Sequence, residues 1–84
     1  MAKKREGSKD IYREVGARIS FYRRKRNLTQ ETFAEAVGIS KTYLSKIESS
    51  HSDKGFSLEI LVIIAQELGI HISKFFLPVD ENIK

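Results

Sequence analysis

The chain is expected to be all-α, with five helices, no sheet and one domain. Three observations predict this. Apolar residues recur at intervals of three and four in one segment after another, as in helices with a single buried face. Most of these segments open on Ser, Thr or Asp and close on Gly or Asn, the residue types that cap helix ends. At 84 residues there is room for one economical core, and no internal repeat marks a second unit.

The elements follow in order. Residues 1–10 are polar and basic without periodicity and read as a flexible arm. A first helix starts at Ile11 behind Asp10 as its N-cap, stacking Ile11, Val15, Ile19 and Tyr22 on one face. The cluster Arg23, Arg24, Lys25 and Arg26 suits its C-terminal end, where cations offset the negative pole of the helix dipole. Asn27 can then adopt the left-handed conformation that ends it.

A second helix begins at Thr29, with Phe33, Ala34 and Val37 on its apolar side, and Gly38 permits a sharp turn. Ser40 caps a third, in which Leu44 and Ile47 face inward. Residues 49–55 form a polar loop. Ser57 caps a fourth helix with Leu58, Leu61, Ala65 and Leu68 inward and Gly69 closing it. The run from Ile60 to Ile64 also fits a buried strand, but a pattern longer than ten residues with a cap at each end decides for helix. Ser73 opens a short fifth helix with Phe75, Phe76 and Leu77, stopped by Pro78. The domain therefore spans 11–77, with 78–84 as a short tail.

Composition narrows the function. Without cysteine there is no disulfide and no thiolate metal site, and His51 and His71 stand too isolated to hold a metal. No cofactor or metal is expected. The apolar runs are too short to span a bilayer and no secretory signal is visible, so a cytoplasmic protein is expected. Ser49, Ser50 and Ser52 lack any accompanying base, and no catalytic constellation appears; the chain is not expected to be an enzyme. The formal charge of +4 is unevenly spread. Residues 1–26 hold ten Lys/Arg against three Asp/Glu, a net +7, while the remainder carries −3. Such asymmetry fits either a polyanion contact or a solvated basic face.

Residues 30–49 meet the requirements of a helix-turn-helix one by one. Two short helices that cross closely need a small residue at the contact, and Ala34 supplies it. The turn needs tolerance of positive φ, and Gly38 supplies that. Phe33, Val37, Ile39, Leu44 and Ile47 clamp the pair onto the domain. The outer side of the second of these helices offers donors, acceptors and charge in Lys41, Thr42, Ser45 and Lys46, with Tyr43 beside them.

With LTQ, an alanine, a glycine and then SKTYLSKIE at fixed spacing, the sequence resembles the lambda-repressor/Cro-type helix-turn-helix family, also called the xenobiotic-response-element family. The likeness runs from about Val15 to Phe76. It implies a five-helix lambda-repressor-like domain in a DNA-binding transcriptional regulator of bacterial, phage or mobile-element origin, with double-stranded operator DNA as its partner. Lys41, Thr42 and Lys46 match positions that reach base edges. Tyr43 and Ser45 match backbone contacts or a thymine methyl. Gln30 matches a residue that contacts a phosphate and braces the recognition helix, and Ser40 matches a cap and phosphate contact. Arg23 and Glu48 match a structural ion pair. Arg24 and Lys54 are further backbone candidates. The chain departs from the family at Ser50, often glycine, and at Phe56, where a proline is usual.

Two apolar residues remain unabsorbed: Ile60 and Ile63, on a side of the fourth helix that is usually polar in the family. They are either scattered apolar surface or, with Phe75 and Phe76, part of a homodimer interface. A dimer fits the energetics, because one recognition helix offers few base contacts and two helices about 34 Å apart read a two-fold site. Blocking polymerase needs only occupancy, so a repressor is the simpler regulator. An alternative use of the fold is an interaction protein that masks a toxin.

Overall fold

The computed structural model describes residues 7–49 and 55–79. Four α-helices follow one another, α1 (Gly7–Lys25), α2 (Gln30–Val37), α3 (Lys41–Glu48) and α4 (Leu58–Leu68), and a 3-10 helix (Ile72–Phe76) completes the fold. There is no strand among the described residues. The expected fifth α-helix is thus a 3-10 turn. A segment of five residues gains little from the α-helical bond pattern, and short runs favour the tighter one.

Two boundaries also differ from expectation. Helix α1 begins at Gly7, which places Asp10 in its first turn and not at the cap. Extending an existing helix backward by one turn costs far less than nucleating one, even without apolar residues to drive it. Residues 1–6 of the expected arm lie outside the described residues. The 3-10 helix is capped by His71, whose Nδ1 accepts from the Ser73 amide at 3.1 Å, so Ser73 sits inside the element it was expected to open.

The remaining ends agree with their residue types. Asn27 has φ 58°, the left-handed conformation that turns the chain from α1 toward α2. Ser57 Oγ accepts from the Ile60 amide at 3.2 Å, and Gly69 closes α4.

Ile19, Phe33, Leu44, Ile64, Leu68 and Phe75 are fully buried and draw all five elements around one core. The inward face of α4 is Ile60, Leu61, Ile64, Ala65 and Leu68. Leu58, expected inside, is 67% exposed, whereas Ile60, expected on the surface, is buried. Phe75 is likewise enclosed by its own chain. Neither Ile60 nor Phe75 can therefore serve as an interface residue while the domain is folded. Of the four residues assigned to that interface, Ile63 and Phe76 remain exposed.

Three arginines hold loop or helix-end carbonyls. Arg18 Nη1 donates to Phe75 O at 3.1 Å, Arg23 Nη1 to Leu28 O at 2.7 Å and Arg26 Nη1 to Leu68 O at 2.6 Å. Part of the basic excess of α1 and the turn after it is thus structural: it satisfies carbonyls that helix ends and turns leave without partners. Arg24 and Lys25 stay exposed at the end of α1, with Lys25 Nζ 5.4 Å from the centre of the Phe21 ring. No helix among the described residues is long and apolar enough to cross a membrane.

Candidate nucleic-acid interface

The helix pair α2–α3 is defined locally before it is packed. Thr29 Oγ1 accepts from the Thr32 amide at 3.0 Å and starts α2. Gly38 ends it at φ 89°, and the amides of Gly38 and Ile39 both return to the Ala34 carbonyl. A Cβ at Gly38 would meet nothing within 4 Å, so glycine is needed there for its backbone angle and not for space. Ser40 then caps α3 by accepting from the Tyr43 amide at 3.0 Å.

Packing sets which side of α3 is free. Leu44 and Ile47 are buried, and Phe33 and Ala34 of α2 close over the same core. This leaves Lys41, Thr42, Tyr43, Ser45 and Lys46 exposed, with Ser40 at the helix start. Tyr43 is 39% exposed, which leaves its ring available for contact from outside. Five of the expected DNA-contacting side chains thus lie on the outer side of one short helix. Arg24 is exposed at the end of α1, and Lys54 lies outside the described residues.

The C-terminal end of α3 is fastened by a buried polar cluster. Arg23 Nε donates to Glu48 Oε2 at 2.8 Å and Arg23 Nη2 to Glu48 Oε1 at 2.9 Å, a two-pronged pair. Gln30 Nε2 donates to Glu48 Oε1 at 3.0 Å. The two charged side chains are only 9% and 4% exposed, so the pair is buried as well as hydrogen-bonded. It joins the end of α1, the start of α2 and the end of α3. The expected ion pair is present, and Gln30 braces α3 through it.

Sequence reasoning missed a second fastening. Gly16, in the middle of α1, is buried against the last turn of α3, and a Cβ there would overlap the Ile47 carbonyl oxygen. The signal was available: a glycine inside a helix costs about 1 kcal/mol relative to alanine, which calls for a packing reason. Tyr12, one turn earlier, packs edge-on against Phe56 with ring centres 5.1 Å apart, where the family usually has proline. Among the described residues no group of His, Cys, Asp and Glu could hold a metal ion.

Capped helices joined by a left-handed glycine, with a polar outer helix fixed to the core at its far end, define a helix-turn-helix protein. Comparison with known proteins places it further. Residues 19–75 match the helix-turn-helix family model HTH_3, and the chain belongs to this Cro/C1-type family of DNA-binding transcriptional regulators. It is 41% identical over 59 residues to the immunity repressor protein of Bacillus phage phi105, covering 70% of this chain and 40% of the repressor. It is 35% identical over 69 residues to the propionyl-CoA carboxylase regulator of Cereibacter sphaeroides, covering 82% of this chain but 14% of that protein. The restriction-modification controller protein C.AhdI from Aeromonas hydrophila superposes with a TM-score of 0.70 at 27% identity, covering 80% of this chain and 97% of the other.

Proposed function

We propose that this chain binds double-stranded DNA sequence-specifically, as a homodimer on a two-fold operator, and represses transcription by occupancy. The observation that carries this reading is the exposed row on α3, fixed to the core by the Arg23–Glu48–Gln30 cluster. A rigid helix with donors on its outer side can enter the major groove, where each base pair offers a distinct pattern of acceptors and donors. Thr42 offers a hydroxyl and a methyl to base edges. Lys41 and Lys46 donate to guanine O6 or N7, Tyr43 meets a thymine methyl or the backbone, and Gln30, Ser40, Ser45 and Arg24 contact phosphates.

One α3 supplies too few such contacts for the usual affinity of an operator-binding protein, which favours two copies. Ile63 and Phe76, 36% and 44% exposed, are the interface residues this reading retains, and exposed Leu58, Val62 and Leu77 extend the apolar surface near them. The repressor role is supported by the likeness to a phage immunity repressor.

Selection of bound duplexes from a random pool tests the proposal. A two-fold motif with half-sites about one helical turn apart is expected; a pool without enrichment refutes sequence-specific binding. Lys41→Ala should shift the selected sequence, whereas Arg24→Ala should weaken all duplexes alike. Identical behaviour of the two variants would break the division into base and phosphate contacts. Sedimentation equilibrium showing only monomer, with and without the selected DNA, would refute the dimer.

A further inference from the structure

Gly16 and Arg23 lie seven residues apart, two turns along one side of α1, and both meet the C-terminal end of α3. At Arg23 the contact is a charge pair to Glu48. At Gly16 it is an approach of backbone to backbone. A Cβ on Gly16 would overlap the Ile47 carbonyl oxygen and lie 3.2 Å from its carbon and 3.4 Å from Glu48 Cα. All three are main-chain atoms, so no side-chain rotation makes room. Nor can α3 retreat freely, because Glu48 is held by Arg23 and Gln30.

We propose that Gly16 is a positioning residue for DNA recognition: by admitting the Ile47 carbonyl against α1, it sets the depth and tilt of α3. This rests on α3 being the DNA-reading element. The lever is short and direct. Ile47 lies at one end of α3 and Lys41 at the other, roughly 9 Å apart at the rise of an α-helix. A shift forced at the pivot reaches Lys41, Thr42 and Lys46 without attenuation. Hydrogen bonds to base edges work over a window of about 0.5 Å. Phosphate contacts made by flexible cationic side chains tolerate far more movement. Displacing α3 therefore lowers selectivity before it lowers general affinity for DNA.

The experiment compares wild type, Gly16→Ala and Val15→Ala, each shown to be folded by circular dichroism at the temperature used. Val15 is buried beside Gly16 and faces Leu61 and Phe56 across a small apolar groove, so its truncation loosens the core without crowding α3. Affinities are measured at one salt concentration for the selected duplex and for random duplex. Gly16→Ala is expected to lose about tenfold or more of the ratio between them, on the order of one lost base contact. Its affinity for random duplex should stay near wild type, and Val15→Ala should keep the ratio. In the free protein, the backbone amide shifts that change in Gly16→Ala should concentrate in α3.

Wild-type selectivity in folded Gly16→Ala overturns the positioning role. Should that variant be unfolded, the substitution is repeated with Asn27→Gly, which relieves a left-handed non-glycine residue with φ 58°. A chain unfolded in both backgrounds makes Gly16 a requirement of the fold and also overturns the proposal. A wild type with no preferred sequence refutes the reading role and this inference together, whereas unaltered selectivity in Gly16→Ala refutes the positioning alone.

Discussion

Helices α3 and α4 begin alike, each behind a serine whose hydroxyl accepts from the amide three residues on, yet they differ in how their faces are determined. In α3 the aliphatic residues Leu44 and Ile47 stand among Lys, Thr, Ser and Glu, with Tyr43 as the one aromatic, left exposed. Only one rotation buries both, and a charge pair then locks its end. In α4 apolar residues occupy nearly every position from Leu58 to Ala65, and several rotations bury a similar area. What decides there is the company of α1, α2 and the 3-10 helix, not the helix itself. Polar residues thus orient an element by where they refuse to go, and α4 has few of them.

The largest effect is expected at the locked end of α3. Glu48→Ala leaves the Arg23 guanidinium buried, with the Leu28 carbonyl as its remaining partner among the described residues. Breaking a buried pair from one side costs about 3–5 kcal/mol. That is a large part of the roughly 5–15 kcal/mol that holds a small domain folded. A urea unfolding midpoint should fall accordingly, and the double variant Arg23→Met/Glu48→Leu should lose less than the two single changes added together. A single-variant loss below about 1 kcal/mol, the usual worth of an exposed pair, would show that the cluster does not lock α3.

The rotation of α4 is tested by two substitutions that sequence and structure rank oppositely. Ile60→Ala removes a buried side chain and is expected to cost about 2–4 kcal/mol. Leu58→Ala removes one that is mostly exposed, and its effect should stay within about 0.5 kcal/mol. The same urea titrations read both. A larger loss at Leu58 would mean that α4 is rotated toward the phase its sequence pattern alone implied.

The difference between the two helices also explains what was legible beforehand. Turn chemistry was: Asn27, Gly38, Ser40, Ser57 and Gly69 each act as their residue types require, because caps depend on a few neighbouring backbone groups. The exposed side of α3 was legible because Leu44 and Ile47 fix a single buried side, and the Arg23–Glu48 pair was reached through family resemblance. The inward placing of Ile60 and Phe75 was not, since burial on an apolar helix is settled by contacts distant in sequence. Nor was the sharing of the arginines in α1 and just after it, in which Arg18, Arg23 and Arg26 hold carbonyls while Arg24 is left exposed to solvent or DNA. A basic run shows its charge and hides which members are already engaged.

The smallest expected effect separates two serines that look equivalent. Ser40→Ala and Ser57→Ala each remove an N-cap acceptor and should each cost about 1 kcal/mol of stability. On stability alone α3 and α4 behave alike. On DNA they should not. Ser40 is exposed at the start of the helix assigned to base reading, and its hydroxyl is also the proposed phosphate contact, whereas Ser57 caps a helix with no assigned contact to DNA. After correction for the folded fraction, Ser57→Ala should bind the selected duplex as wild type does. Ser40→Ala should bind it more weakly, with random duplex weakened in the same proportion, because a phosphate contact carries no sequence information. Equal DNA affinities in the two variants would confine Ser40 to its cap and shift the phosphate contacts of this end of α3 elsewhere.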